Sequence, residues 1–505
     1  MKNASSTHFS GRMLLTGSMI GGKMIALLAT FSMPLFLTRF LTRDEYGIFA
    51  QYYVIVFFCI EFFSLTIHAN LYYFYPGSDD RRKKALVTNT FLFLVMATLI
   101  AVTIISVPEI SRYLIGEGEL YEYRYYILAG VILLMPAMMI EPLYVLRKDL
   151  ITSLAYPPAE ILLRLTLVVV LFLILPGLNS VFNAIIFSAA ASLLFVSFYV
   201  FRGFRGGGRG QKLFDTGLAK EQLKYGLPFG AAVSLNIFFQ RFDKIICISF
   251  LSTTDYAIYA IAFYGIPGIN QIYDSISQVS LVHMIEKYKS GKMKEVVEVY
   301  RSFVARTYAF ALPAIAVVML YAGKIISFLF TENYADAVPL FRVYLLSFLI
   351  FMLGTDVILR ATGNTRTSLR SHIIGGLIVV PSIYFLTKFF GIWGAMSGAL
   401  IGVAVPRLLN LAAQIRLVKS SVSGFFPFEK FAAIALITLA SITPFFLIER
   451  YFSYGVFTTA LLGITYLILV AALEIRFDLF PVGRSVIRGW LAQHTKRLFI
   501  FFKLI

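Results

Sequence analysis

Phe40-Leu41-Thr42-Arg43-Asp44-Glu45-Tyr46-Gly47-Ile48-Phe49-Ala50 returns 210 residues later as Phe250-Leu251-Ser252-Thr253-Thr254-Asp255-Tyr256-Ala257-Ile258-Tyr259-Ala260. Five of the eleven positions are identical and four more are close exchanges: Thr/Ser, Glu/Asp, Gly/Ala and Phe/Tyr. Each copy joins one long apolar run to the next. The same offset carries the third to sixth apolar runs of the chain onto the ninth to twelfth. Val145-Leu146-Arg147 and Ile358-Leu359-Arg360, at the inner ends of the fourth and tenth runs, also match loosely. The pattern predicts two copies of a six-helix unit followed by two further helices. Six is an even number, so both copies share one orientation and are related by an axis along the membrane normal. Parallel repeats of this kind are a transporter architecture with its site between the lobes near the midplane. The expected organisation is an N-lobe over 1–212, a C-lobe over 213–420, and a C-terminal pair of helices with a basic tail over 421–505.

Composition sets the solvent. Of the 505 residues 59% are hydrophobic and only 14% charged, against about 25% charged in a soluble domain. Mean hydropathy is +0.79. Fourteen apolar runs read as helices, near 12–40, 46–68, 85–107, 125–146, 151–175, 179–201, 222–250, 256–280, 303–329, 338–360, 369–390, 393–417, 428–448 and 454–475. Most approach the ~20 residues that cross a bilayer. The fold class is therefore an all-α polytopic membrane protein.

The net charge of +18 would suggest nucleic acid in a soluble chain; here it sits in short connections and needs no such partner. With the N-terminus inside, 31 of the 45 Lys and Arg fall on the inner side and 5 on the outer. One miscounted helix would invert this bias downstream of the error, so it supports both count and orientation. Both termini are expected in the cytoplasm, and the first run is too long and lacks the cleavage site of a signal peptide. No connection is long enough for a soluble domain; the longest outer one, Pro108 to Arg124, has seventeen residues. Cys59 and Cys247 fall inside apolar runs and read as packing residues, and the histidines show no metal spacing. No cofactor is implied.

Charges inside spans are costly, about 2.5–3.5 kcal/mol each at the bilayer centre on insertion scales, and usually face a cavity or a partner. Arg39, Glu141, Lys324, Arg342 and Arg360 lie near span ends and can snorkel. Glu160 and Arg164 stand at i,i+4 and read as a structural ion pair, as do Asp356 and Arg360. Arg407, beside Pro406, is left without an assignment. Lys23, Arg241 and Lys244, with Gln240, fall on the first and seventh helices, which the repeat makes equivalent. They are expected to line a shared cationic cavity where a pyrophosphate would interact far more strongly than in water. Glu61, Asp243, Asp274 and Gln278 would be counter-charges, gate partners or ion ligands; Asp274 and Gln278 belong to a polar stripe that includes Gln271 and Ser275.

Other motifs carry less. Gly17-Ser18-Met19-Ile20-Gly21-Gly22-Lys23 imitates a phosphate loop, but Met24 replaces the Ser/Thr and the stretch lies within an apolar run rather than after a strand. The chain offers no ATP-hydrolysing apparatus and does not read as an enzyme. Gly226/Gly230 and Gly394/Gly398/Gly402 permit close helix approach. Pro228, Pro267 and Pro313 can bend their helices.

The stretch Tyr225-Gly226-Leu227-Pro228, Arg241-Phe242-Asp243-Lys244 and Asp255-Tyr256-Ala257-Ile258-Tyr259 resembles the start of the second lobe in polysaccharide flippases, the O-antigen (Wzx-type) transporters of the MOP superfamily. Thr42-Arg43-Asp44-Glu45-Tyr46-Gly47 and Gly391-Ile392-Trp393-Gly394-Ala395-Met396-Ser397-Gly398 are similar to the same family. The resemblance implies fourteen helices, alternating access and a cationic cavity built from helices 1, 2, 7 and 8. It implies, too, a groove for a lipid tail on helices 13 and 14. Its substrate would be an oligosaccharide on undecaprenyl pyrophosphate, moved from the cytoplasmic to the periplasmic leaflet of the bacterial inner membrane. Partners would be that lipid-linked oligosaccharide, membrane lipids, and the polysaccharide polymerase and chain-length machinery. Two alternatives share the fold: a MATE-type multidrug or cation antiporter, which favours acidic cavities and twelve spans, and a peptidoglycan-precursor (lipid II) flippase. A membrane polymerase would be expected to carry a large outer loop with acid/base groups, and the sequence has none.

Overall fold

The repeated stretch is a helix start, written twice. In the computed structural model, which describes residues 26, 30, 32–116, 118–202, 215–266 and 269–479, Thr42 caps the Arg43–Phe63 helix. Its hydroxyl accepts from the Glu45 amide (3.2 Å) while the Glu45 carboxylate accepts from the Thr42 amide (2.9 Å). This reciprocal capping box is worth about 1 kcal/mol. In the second copy Ser252 stands where Thr42 does, and its hydroxyl accepts from the Asp255 amide at 3.1 Å. The close exchanges Thr/Ser and Glu/Asp thus preserve the chemistry that starts a helix.

All regular structure among the described residues is helical, and nine of those helices are long and apolar enough to cross a membrane. The protein is a multi-pass membrane protein. Every predicted span from 46–68 onward is occupied by a helix or by a pair of helices meeting at a break; most of the 12–40 run, with Lys23 and the Gly17–Lys23 stretch, lies outside the described residues. The basic runs 203–214 and 480–505 do as well. Packing divides the chain into two compact units, residues 1–257 and 258–505.

In the first unit Arg43–Phe63 buries Tyr52, Ile55 and Cys59. It stops where Leu65 and Thr66 both take left-handed φ values (47° and 46°), strain of order 1–3 kcal/mol per residue. The chain restarts as the short Asn70–Phe74 helix. The predicted 125–146 span breaks into Arg124–Ala137 and Ile140–Leu146. Pro136 lacks the amide of a regular turn, and Met138 and Met139 bond three residues back instead of four. Asp79, Asp149 and Asp215 cap the Asp80–Ser106, Leu150–Ile174 and Thr216–Phe250 helices, each accepting from the amide three residues on. Thr216–Phe250 starts six residues before the predicted span and runs 35 residues, about 52 Å at 1.5 Å per residue.

In the second unit Ile269–Lys289 and Met293–Leu320 form a helical hairpin turned at Gly291 (φ +72°). The predicted 338–360 span ends at Phe351, and Val357–Ala361 follows after a break. Gly354 sits in that break at φ +58°, where a Cβ would come within 2.2 Å of the Phe303 ring. Backbone groups around the break find side-chain partners: the Tyr300 hydroxyl donates to Leu353 O (2.7 Å), and Gln414 Oε1 accepts from the Ile358 amide (2.8 Å). The predicted 369–390 and 393–417 spans meet at Gly391, whose φ of 56° and ψ of −134° make a corner inside Thr365–Leu417. A Cβ on Gly394, Gly398 or Gly402 would lie 1.9 to 3.3 Å from Leu386, Ile383 or Val379. That glycine ladder is therefore the packing edge of the hairpin, as its spacing suggests. The last two helices, Phe428–Tyr451 and Val456–Arg476, pack around Val317, Tyr321, Phe445 and Tyr466. Lys324 pairs with Glu449 at 2.8 Å; it is a tied group, where the sequence suggests one free to snorkel.

Candidate substrate-handling seam

Within the first unit, Thr216–Phe250 runs antiparallel along Arg43–Phe63 and on past Asn70–Phe74. Glycines set how closely. A Cβ at Gly47 would stand 2.0 Å from Thr253 O, one at Gly230 2.1 Å from Leu65 O, and one at Gly226 2.3 Å from the Asn70 amide. Polar bonds close both ends of this seam. At one end Asp44 accepts hydrogen bonds from the hydroxyls of Thr253 (2.9 Å) and Thr254. At the other, Asn70 Nδ2 donates to Gln222 O (3.1 Å), Tyr73 stacks on Tyr225 with centroids 4.4 Å apart, and Arg82 pairs with Glu221 at 3.2 Å.

Asp44 and Thr254 are the same position of the repeat, 210 residues apart. The contact therefore joins equivalent positions of the two copies of the motif. Sequence reasoning missed the contact because it read the motif as a connection between helices. The offset between the copies was the available signal.

Between the closed ends Arg241 Nη2 reaches both carboxylate oxygens of Glu61, at 3.0 and 3.1 Å. The Ser234 hydroxyl donates to Phe62 O (2.8 Å), and Phe58 lies by Phe238 with ring centroids 6.4 Å apart. Glu61 and Arg241 are each about one-third exposed (32% and 31%), so the pair is reachable without being fully solvated. Lys244 pairs with its neighbour Asp243 at 3.2 Å, and Asp243 is buried. The arrangement is a guanidinium fork held by a carboxylate from the facing helix, with a second, internally balanced charge pair one turn away.

The other sequence candidates fall elsewhere. Glu160 and Arg164 pair at 2.5 Å within Leu150–Ile174. Asp356 and Arg360 pair at 3.4 Å in the second unit, where Asp274 and Gln278 are exposed on Ile269–Lys289. Those two residues share a cavity with Arg407, Asp356 and Arg360. Lys23 and the Gln240 side chain lie outside the described residues. No group of three or more His, Cys, Asp or Glu that could hold a metal occurs among the described residues.

Residues 36–339, more than half of the chain, match the family model described as "Polysaccharide biosynthesis protein". No curated protein matches the sequence. Among solved structures, the chain is similar to the lipid II flippase MurJ in an inward closed conformation. The TM-score is 0.63 at 14% identity, over 88% of this chain and 99% of that one. It is also similar to an inward-facing multidrug resistance MATE family transporter of the MOP superfamily, with a TM-score of 0.57 at 14% identity, over 78% of this chain and 94% of that one. These likenesses give the fold, and the family model gives the kinship: the chain belongs to the polysaccharide biosynthesis protein family, on the fold of the MOP-superfamily transporters.

Proposed function

We propose that this protein is a flippase. It carries an undecaprenyl-pyrophosphate-linked oligosaccharide from the cytoplasmic to the periplasmic leaflet of the bacterial inner membrane, with both termini in the cytoplasm. The observation that carries the reading is Arg241 held by Glu61 across a seam between the two copies of the repeat, in a chain of the polysaccharide biosynthesis family. Glu61 acts as a stand-in anion. A pyrophosphate brings more charge and more acceptor oxygens to the same guanidinium fork. When it displaces Glu61, the ion tie between the helices is lost as the substrate is gained. Binding is thereby coupled to parting of the seam, the differential interaction that alternating access requires. Lys244 and Lys23 add positive charge along the path, and Asp243 balances Lys244 while the path is empty. Nothing in this scheme breaks or makes a covalent bond, so the protein works as a transporter and not as an enzyme.

A lipid II flippase is the second reading, favoured by the fold shared with MurJ. It would use the same seam. A MATE-type cation antiporter fits less well, because a cationic cargo that took Glu61 would leave the Arg241 guanidinium unpaired beside it.

The test is made in the native host, with the gene deleted and then restored as wild type or as Arg241→Ala. Deletion should trap complete lipid-linked oligosaccharide on the cytoplasmic side, and Arg241→Ala should do the same at normal protein level. Unchanged surface polysaccharide with heightened sensitivity to cationic drugs would overturn the reading in favour of an extruder. Trapped peptidoglycan precursor would select the second reading.

A further inference from the structure

The second unit contains a cavity of about 280 Å³, apart from the Arg241–Glu61 seam, lined by Ile269–Lys289, the break before Val357–Ala361, and Thr365–Leu417. Its charges do not cancel in place. Arg360 is taken up by Asp356 (3.4 Å) and reaches the Ser277 hydroxyl (3.5 Å). Asp274 and Arg407 remain, and neither has an ion-pair partner within 4 Å among the described residues. The only protein acceptor of Arg407 among them is Val403 O on its own helix (3.1 Å), and its guanidinium lies 4.9 Å over the Phe351 ring. Asn410 is 2% exposed. Its amide nitrogen reaches Ser368 (3.4 Å), and its Oδ1 is buried with no hydrogen-bond partner among the described residues.

The donor set narrows the ligand. A bare metal ion is disfavoured by Arg407 and by the lack of a three-ligand acidic or imidazole group among the described residues. A simple anion would meet Asp274 and Asp356. A lipid tail would strand every polar group present. A sugar ring fits, because each hydroxyl both donates and accepts. Asp274 and Gln278 offer acceptors and Arg407 offers donors. The volume of about 280 Å³ lies just below the range of about 300–1,000 Å³ for pockets that hold drug-sized molecules, enough for one ring.

We infer that this cavity is a saccharide subsite that grips one neutral pyranose unit of the cargo; the inference rests on the flippase reading for its biological sense. Under the orientation proposed above, the cavity lies toward the cytoplasmic ends of its helices, the side from which cargo is loaded.

The full chain, reconstituted in lipid nanodiscs to exclude sugar-headed detergents, is mixed with millimolar glucose, galactose or N-acetylglucosamine. Saturation transfer from protein to sugar protons is then read by NMR. At least one of the three should show transfer to ring protons, reduced at least fivefold in Arg407→Gln and in the milder surface change Asp274→Asn. Absence of transfer from all three, or transfer unchanged in a folded Asp274→Asn protein, overturns the inference. The two readings fail separately. Trapped lipid-linked units on deletion with no sugar contact leave the flippase and remove the subsite. Sugar contact that depends on Asp274, without trapped units, keeps the subsite and removes the flippase.

Discussion

If Glu61 occupies the place a pyrophosphate would take, Glu61→Gln should tighten binding of a prenyl pyrophosphate, and the geometry sets by how much. Two unit charges about 4 Å apart interact with roughly 4 kcal/mol at an effective dielectric of 20. Both side chains are about one-third exposed, 31% and 32%, so solvent screening leaves about 1–2 kcal/mol of net pairing. A ligand that must displace Glu61 forfeits that amount. Removing the charge while keeping the shape should lower Kd for a short prenyl pyrophosphate, such as farnesyl pyrophosphate, by about five- to thirtyfold. Isothermal titration of the purified protein measures it, with Arg241→Ala as the partner variant. Arg241→Ala should lose affinity, and the double variant Glu61→Gln/Arg241→Ala should resemble Arg241→Ala alone, because competition needs both members. Equal affinity in wild type and Glu61→Gln, with loss in Arg241→Ala, would refute the displacement argument while leaving Arg241 a ligand. Equal affinity in all four would remove the seam from the binding path. Transport should not rise with affinity: a seam without its ion tie has lost part of the coupling, so Glu61→Gln should bind better and flip more slowly.

Other outcomes follow from the same contacts. Gly47→Ala places a Cβ 2.0 Å from Thr253 O, an overpacking that costs about 1–3 kcal/mol; cross-linking between cysteines introduced at 44 and 254, with Cys59 and Cys247 replaced, should fall severalfold. Lys324→Ala strands Glu449 in a site that also holds the Tyr454 hydroxyl (2.5 Å) and should lower the thermal midpoint more than Lys324→Ala/Glu449→Ala. Asp149 lies between spans. Burial opposes its charged form, but hydrogen bonds from the Thr152 amide and hydroxyl (3.0 and 2.8 Å) and from Tyr199 (3.0 Å) outweigh that and hold its carboxyl below the ordinary value. Its contribution is therefore full above the unfolded carboxyl range and fades as pH falls through the lowered value. Asp149→Asn should cost about 1 kcal/mol at neutral pH, and thermal melts of the two proteins should converge below about pH 4.

How far the sequence reached depended on which physics was local. Hydropathy located the long described helices because burial in lipid needs only a run of apolar side chains; it missed the short Pro108–Ile115 helix, read as part of an outer connection. The glycine ladder Gly394/Gly398/Gly402 announced its hairpin because close approach needs a missing Cβ at each turn, and that is written at regular spacing. Breaks inside spans were harder. Pro136 could have signalled the division of 125–146, but Pro157 and Pro158 sit inside an unbroken Leu150–Ile174, so proline alone does not decide. The break after Phe351 depends on Gly354 packing against Phe303, some fifty residues away, and no local pattern encodes that. For the site, in-span charges marked Glu61, Arg241 and Asp274 one by one. Their partners were legible only at i,i+4, as in Glu160–Arg164 and Asp356–Arg360. Glu61 with Arg241, 180 residues apart, and the assembly of Asp274 with Arg407 and Asn410, needed the fold.

The seam also explains why its charges are not simply apolar. A zipper of glycines and aromatic rings alone would hold Arg43–Phe63 against Thr216–Phe250 tightly, and nothing a polar ligand brings could release it. The bonds that close its ends are of the exchangeable kind: hydroxyl to Asp44, amide to the Gln222 carbonyl, Arg82 to an exposed Glu221. Each is worth about 0.5–1.5 kcal/mol net, and each can be replaced by water when the helices part. The glycines Gly47, Gly226 and Gly230 make the closed state specific, since only at near-contact do these donors reach their acceptors. Under the proposed function, Arg241–Glu61 would make it conditional, since its tie is the one a phosphate would take over. Substitutions that strengthen the seam without making it exchangeable, such as an apolar pair at 61 and 241, should therefore raise thermal stability and abolish flipping together. A variant at those two positions that gained stability and kept full transport would show that the seam does not move.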